Sequence, residues 1–116
     1  MASTPEKKVK DKVKKILKDN GVYFFSPVTG GYGSSGVPDI VGCYKGRFVG
    51  IETKAGSGKP TALQDKNLAE IMEKGGVAIL VNENGIIYLE EMFKVGLPNA
   101  GILYDLLKGK ANEKDE

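Results

Sequence analysis

The sequence contains no histidine, and Cys43 is the single cysteine among its 116 residues. Without histidine the chain cannot form a serine–histidine–aspartate triad or a cysteine–histidine pair, and a histidine general base is excluded as well. One cysteine without histidine also cannot supply the ligands of an ordinary zinc site. Any catalysis must therefore depend on carboxylates, lysines, hydroxyl groups or a metal ion held by oxygen ligands.

The single cysteine also excludes a disulfide within the chain. This favours a reducing compartment, so we expect a cytoplasmic protein in which Cys43 is buried as a small hydrophobe. The apolar runs are too short to span a bilayer, and no apolar segment of the kind found in signal peptides follows the lysine-rich N-terminus. The length fits one domain over residues 1–116, with a core at about 5–95 and a frayed polar tail at 109–116.

Positive charge is concentrated near the N-terminus. Residues 1–20 contain seven lysines and three acids, whereas the formal net charge of the whole chain is only +2. Residues 5–19 predict a helix with apolar side chains on one face and lysines on the others. Such a helix can bind DNA phosphates or can simply be a solvated face. The DNA contacts expected in the first case come from Lys7, Lys8, Lys12 and Lys15, with Lys59 as a further candidate.

The hydrophobic pattern predicts an α/β protein in which helices pack on a mixed sheet, in the order α-β-β-β-α-β-β-α. Two tight turns, at Lys45-Gly46 and Asn84-Gly85, are each expected to join a pair of strands. A loop rich in glycine and serine is expected over residues 26–37. Strands are expected over residues 22–25, 39–44, 47–55, 77–81 and 86–89, and two further helices over 61–74 and 99–108.

Two glycine-rich segments match nucleotide-binding loops only in part. The segment Gly31 to Gly36 fits G-x-G-x-x-G, but Pro38 follows where a helix would have to begin. A P-loop around Gly58-Lys59 would need serine or threonine at Pro60 and glycine at Thr53. No nucleotide cofactor is therefore expected.

The hairpin predicted around Lys45-Gly46 brings two acids together. Counting back from this turn along both strands places Asp39 opposite Glu52, with Cβ atoms roughly 4.5–5.5 Å apart. Lys54 lies two residues beyond Glu52 and so points to the same face. Opposed like charges destabilise a hairpin unless a cation binds between them. The alternative is an exposed polar edge at which Lys54 merely neutralises Glu52.

These residues belong to an ordered set of motifs. Gly36-Val37-Pro38-Asp39 is followed by Glu52-Thr53-Lys54, then by Gln64 in a predicted helix, and then by a glycine with the apolar run 76–81. The set resembles the PD-(D/E)xK nuclease superfamily over roughly residues 5–82. It is most similar to the small VRR-NUC branch, which includes stand-alone viral and phage proteins. The resemblance implies a restriction-endonuclease-like fold and a metal-dependent nuclease.

The resemblance also implies roles for individual residues. Asp39 and Glu52 would bind Mg²⁺ or Mn²⁺ with the backbone carbonyl of Thr53, because these hard ions prefer oxygen ligands. The bound ion would lower the pKa of a water molecule and stabilise the pentavalent phosphate. Lys54 would orient the nucleophile or neutralise the developing charge.

Glu6 and Gln64 each have two interpretations. Glu6 lies on the inward stripe of the first predicted helix, so it can approach the metal directly or through water, or it can form a capping box with Ser3. Gln64 can line the catalytic site, as the resemblance favours, or can close a second capping box with Thr61.

The function expected from these observations is a Mg²⁺-dependent, structure-selective DNA endonuclease. One site suffices for one strand cut, so we expect a homodimer that cleaves branched DNA such as a four-way (Holliday) junction. The alternatives are a nickase or exonuclease in a larger complex, and a non-catalytic DNA-binding module on the same fold. The dimer surface would lie at residues that can also pack within the monomer, namely Ile102, Leu103, Leu106 and Leu107 or the strand edge 86–89.

Overall fold

The computed structural model describes residues 4–28 and 36–97, and over these residues it shows an α/β architecture of three helices and a four-stranded sheet. None of the three helices combines the length and the apolar character needed to cross a bilayer. The elements in chain order are α1 (Pro5–Asp19), β1 (Tyr23–Phe25), β2 (Ile40–Tyr44), β3 (Arg47–Thr53), α2 (Ala62–Glu73), β4 (Val77–Val81) and α3 (Ile86–Val95).

The sheet is mixed and has the strand order β1-β2-β3-β4. The first two pairs of neighbours are antiparallel, and β3 and β4 are parallel, with α2 in the crossover that a parallel pair requires. The predicted hairpin register is confirmed, because Tyr44 pairs with Arg47 and Ile40 pairs with Ile51. Lys45 and Gly46 have φ angles of 50° and 83°, the positive values that a two-residue type I′ turn requires.

The larger core lies between one face of the sheet and the helices α1 and α3. The apolar side chains of α1 recur every three or four residues, so they form one buried stripe against the strands. The hydroxyl of Thr4 caps this helix by accepting a hydrogen bond from the Lys7 amide. The buried residues of this core are Val9, Val13, Ile16, Leu17, Val22, Ile40, Val49, Ile51, Val77, Ile79, Val81, Leu89 and Phe93.

The helix α2 packs on the opposite face, mainly against β3 and β4. Leu68 and Ala78 are its buried contacts, and Gly50 allows the close approach because a Cβ there would lie 2.6 Å from Ile71 Cδ1. Within residues 4–28 and 36–97, no helix packs mainly on the half of this face formed by β1 and β2. Cys43 lies there between Tyr23 and Phe48 and is exposed, so the prediction that it is buried is wrong.

The strand expected over residues 86–89 is also wrong, because these residues begin α3. The side chain of Asn82 accepts hydrogen bonds from the amides of Asn84 and Gly85, and this turn leads into the helix. Leu89 and Phe93 recur at helical spacing and are both buried. The observed order is therefore α-β-β-β-α-β-α, and a sheet-edge dimer surface at 86–89 does not exist. The expected helix at 99–108, its four dimer-surface residues, the tail at 109–116 and most of the glycine-rich loop lie outside the described residues.

Candidate active site

The residues of the predicted site meet at one end of the sheet. Asp39 immediately precedes β2, and Glu52 and Thr53 are the last two residues of β3. In an antiparallel pair the start of one strand lies beside the end of the other. Continuing the register past the pair Ile40–Ile51 therefore brings Asp39 beside Glu52, as the sequence predicts.

Hydrogen bonds from Thr53 hold the carboxylate of Asp39. Its Oδ2 accepts one bond from the Thr53 amide at 2.9 Å and another from the Thr53 hydroxyl at 2.8 Å. Its Oδ1 lies 3.7 Å from Nζ of Lys10, which comes from α1. One oxygen of Asp39 is thus held by Thr53 at the end of β3, and the other faces the ammonium group of Lys10.

The second carboxylate, Glu52, is 1% exposed. Its Oε2 lies 3.5 Å from Nζ of Lys54, whereas its Oε1 is buried without a hydrogen-bond partner in the described part of the chain. Burial, and then repulsion by the Asp39 carboxylate, raise the pKa of Glu52 from 4.5 to about 7, although Lys54 opposes the change. A carboxylate in this environment has unused capacity to bind a cation.

The available donors are all oxygen atoms, which suit Mg²⁺ or Mn²⁺. The Thr53 amide points to Asp39, whereas the next amide, that of Lys54, donates to the Val81 carbonyl on β4 at 2.9 Å. Because the amide and carbonyl of one extended residue leave the strand on the same side, the Thr53 carbonyl faces the side of Asp39. Across residues 4–28 and 36–97, no group of three or more Asp, Glu, Cys or His side chains could hold a metal ion. The oxygen atoms that could hold an ion here are those of the two carboxylates and the Thr53 carbonyl.

Lys54 connects the paired acids to a neighbouring cavity. Its side chain is 15% exposed and lines a cavity of about 370 Å³ between the loop after β3 and the end of β4. The exposed Lys59 lines the same cavity. Both carboxylate oxygens of Glu83 accept hydrogen bonds from the Gly56 amide, at 2.8 and 2.9 Å, and so fasten this loop to the turn after β4. Lys54 and Lys59, which the sequence analysis assigned to catalysis and DNA binding, therefore line the same cavity.

Lys10 is a site residue that the sequence analysis missed. It lies four residues after Glu6, next to the inward stripe of α1, and this spacing is the signal that could have identified it. The expected DNA contacts at Lys8, Lys12 and Lys15 are exposed, and the contact of Lys15 that the structure shows is an ion pair with Asp19 at 2.8 Å. The lysine that α1 presents to the acids is therefore not one of the lysines chosen from the sequence.

The capping alternative for Glu6 is wrong. The N-cap of α1 is Thr4, so Glu6 does not occupy the third helical position that a capping box requires. Glu6 is half-buried, but the structure does not group it with Asp39 and Glu52 as a third acidic ligand. A contact of Glu6 with the metal through water stays a prediction.

For Gln64 the structure contains the capping box. The Thr61 amide donates to Oε1 of Gln64 at 2.9 Å, and the Gln64 amide donates to the Thr61 hydroxyl at 3.2 Å. This reciprocal pair satisfies two free amides at the start of α2. The side chain of Gln64 is thus engaged in starting the helix.

Comparison of the sequence with models of known protein families gives no match, and comparison with curated proteins gives none either.

Proposed function

We propose that this chain is a Mg²⁺-dependent DNA endonuclease whose catalytic centre consists of Asp39, Glu52 and Lys54. The observation that carries the proposal is the state of Glu52, a buried carboxylate next to a second acid, whose Oε1 accepts no hydrogen bond from residues 4–28 or 36–97. Bringing two acids together lowers the stability of the fold, so their arrangement calls for a function. Asp39 and Glu52 would hold a divalent cation, which would offset the repulsion between the two carboxylates.

The residues present fit phosphodiester hydrolysis. A bound divalent ion would supply an activated water and neutralise charge on the phosphate. Asp39 is preorganised for that task, because the two hydrogen bonds from Thr53 fix its orientation before any ligand binds. The ammonium group of Lys54 lies between Glu52 and the cavity, where it can orient the attacking water or neutralise a phosphate oxygen. The absence of histidine leaves these groups to do the chemistry.

The same proposal assigns the chain to the VRR-NUC branch of the PD-(D/E)xK superfamily. Its support is the ordered set of motifs from Gly36 to Val81 together with the mixed α/β sheet on which those motifs lie. Cytoplasmic action is part of the proposal, because the one cysteine of the chain is free and exposed.

The proposed substrate is branched DNA, cleaved by a homodimer. One pair of carboxylates serves one strand, whereas resolving a four-way junction needs two cuts at symmetry-related positions. A surface of this size can recognise the shape of DNA through its phosphates but cannot read a long sequence.

A cleavage assay tests the proposal directly. Purified protein with Mg²⁺ should cut four-way and flap DNA faster than linear duplex, and EDTA should stop the reaction. Glu52→Gln and Asp39→Asn should lose at least 100-fold in rate while their circular dichroism spectra stay unchanged. The exposed Glu91→Gln serves as the matched control and should cut like wild type. Cleavage by Glu52→Gln at the wild-type rate would sink the assignment.

Sedimentation tests the dimer separately. We expect two chains per four-way junction at micromolar protein concentration. A monomer both with and without the junction would remove the paired-cut mechanism and leave the nickase. Metal-independent DNA binding without any cleavage would leave the non-catalytic binding module.

A further inference from the structure

A polar groove of about 450 Å³ lies along α1, near the end of β1. Its lining includes three lysines, Lys7, Lys10 and Lys14, together with the acids Glu6 and Asp11 and with Ser26. Lys7 is paired with Asp11 at 2.9 Å, so Lys10 and Lys14 supply the positive charge that a ligand in the groove would meet. The groove is therefore suited to a polyanion and not to an apolar ligand.

The three lysines share one flank of α1, because residues three and four apart are neighbours on a helix surface. Lys10 and Lys14 are half-buried on this flank, whereas Lys8 and Lys12 lie elsewhere on the helix and are exposed. The ammonium groups of Lys7, Lys14 and Lys10 all lower the pKa of Asp11, so their positive potentials overlap inside the groove.

Lys10 belongs to both the groove and the catalytic centre. Its Nζ lies 3.7 Å from Oδ1 of Asp39, which is an ion-pair distance but too long for a hydrogen bond. The donors of this ammonium group can therefore still bind phosphate oxygens. The groove and the paired acids are thus adjacent and are joined by one side chain.

We propose that this groove binds the sugar-phosphate backbone of the DNA strand beside the scissile phosphate, with Lys10 and Lys14 contacting two of its phosphates. The inference rests on the proposed nuclease function and deepens it by locating the strand. Lys10 acts as a positioning residue, because it holds a phosphate next to Asp39. This proposal replaces the expectation from the charge pattern of α1, because the exposed Lys8, Lys12 and Lys15 lie on the opposite flank and take no specific part.

Two double variants on the same helix test this location. Lys10→Gln with Lys14→Gln removes the groove charges, and Lys8→Gln with Lys12→Gln removes the same charge from exposed positions. Binding to a four-way junction is measured in EDTA, so that no hydrolysis interferes. The groove variant should lose at least tenfold in affinity, and its salt slope should fall by about 2, because each lost phosphate contact lowers the slope by ~0.9. The control variant should change affinity less than twofold.

Uncharged phosphates identify the contact itself. A methylphosphonate at the phosphate beside the cut should weaken binding of wild type but should leave binding of Lys10→Gln unchanged, because the partner charge is already gone. Lys10→Arg should restore sensitivity to the replacement. Unchanged melting temperatures exclude unfolding as the cause.

The results separate this inference from the proposed function. The proposed DNA site would be wrong if the two double variants lost affinity equally or if the control variant lost more. It would also be wrong if the wild-type protein did not bind DNA. If the two double variants lose affinity equally but metal-dependent cleavage persists, the nuclease proposal remains and the groove proposal is rejected. A groove-specific loss of binding in a protein that never cleaves DNA would support the groove and reject the nuclease.

Discussion

Oδ2 of Asp39 accepts two hydrogen bonds from Thr53, one from the main-chain amide at 2.9 Å and one from the hydroxyl at 2.8 Å. Pairing between β2 and β3 runs from Tyr44–Arg47 to Ile40–Ile51, so this side chain supplies an acceptor just beyond the end of the strand ladder. The amide of a residue that is 0% exposed thereby gains a partner, and the acid gains a fixed orientation. One contact thus serves both the fold and the site.

Replacing Thr53 by valine should lower both the stability of the fold and the rate of cleavage. Valine keeps the shape but loses the hydroxyl that donates to a charged acceptor, so the free energy of unfolding should fall by about 1–3 kcal/mol. Cleavage should slow as well, because Asp39 becomes less well oriented. Urea denaturation and single-turnover cleavage measure the two effects. Thr53→Ser retains the hydroxyl and should behave nearly as wild type, and a valine variant equal to wild type in both assays would refute the role of this bond.

The stability of the metal-free protein should depend on the ionisation of Glu52. Its pKa is raised from 4.5 to about 7, so the folded chain keeps a proton that the unfolded chain releases. Stability should therefore fall as pH rises from about 4.5 to 7 and should then level off. At 1.36 kcal/mol per pH unit the loss is on the order of 3 kcal/mol. Denaturant titrations in EDTA across this range measure it.

Glu52→Gln should abolish this decline and should be more stable than wild type at pH 8. The exposed Glu91→Gln should retain the wild-type profile. Parallel pH profiles for wild type and Glu52→Gln would mean that the buried acid does not titrate in this window.

Divalent cations should raise the melting temperature of the wild-type protein. An ion that binds only the folded state adds about 2.7 kcal/mol when its concentration is 100 times the Kd. The gain should shrink in Asp39→Asn, which retains an acceptor for Thr53 but loses the charge. Asp19→Asn removes an exposed acid from α1 and should respond to Mg²⁺ like wild type. Equal Mg²⁺ affinity in wild type and Asp39→Asn, measured by calorimetry, would place the metal elsewhere.

Removing the side chain of Gln64 should affect stability and not catalysis. Its Oε1 accepts a bond from the Thr61 amide in the capping box, and losing a cap costs about 0.5–2 kcal/mol. Gln64→Ala and Thr61→Ala disrupt the same cap from its two sides, so they should lower stability alike and cut DNA within twofold of each other. A much larger loss of cleavage in Gln64→Ala would return this residue to the catalytic site.

The pairing of Asp39 with Glu52 could be predicted because it depends only on counting residues from the turn along both strands. Once Lys45-Gly46 is recognised as a two-residue turn, strand alternation alone places Asp39 against Glu52, and the structure has this register. The lysine of α1 was not predictable in the same way. The apolar stripe fixes which face of α1 is buried, but Lys10 and Lys12 flank it on opposite sides, so which of them approaches the acids depends on the direction in which α1 crosses the sheet.

Two other predictions failed for different reasons. The run Ile86 to Leu89 is rich in residues that favour strands, but the apolar spacing continues to Phe93 with a helical period. Cys43 lies on a strand flanked by others, and it is exposed because α2, the described helix on that face, packs mainly on β3 and β4. The first error concerns the period of the local sequence, whereas the second depends on where a distant helix packs.

The length of the turn at Lys45-Gly46 determines the register of β3 against β2. The turn lies at the end of the hairpin opposite the acids, and its two residues contact no part of the proposed catalytic centre. Adding or deleting one residue there would shift β3 by one position against β2, and Glu52 and Thr53 would exchange faces. The site should therefore tolerate another residue that readily adopts a positive φ in place of Lys45, such as asparagine, but no change in the number of residues in the turn.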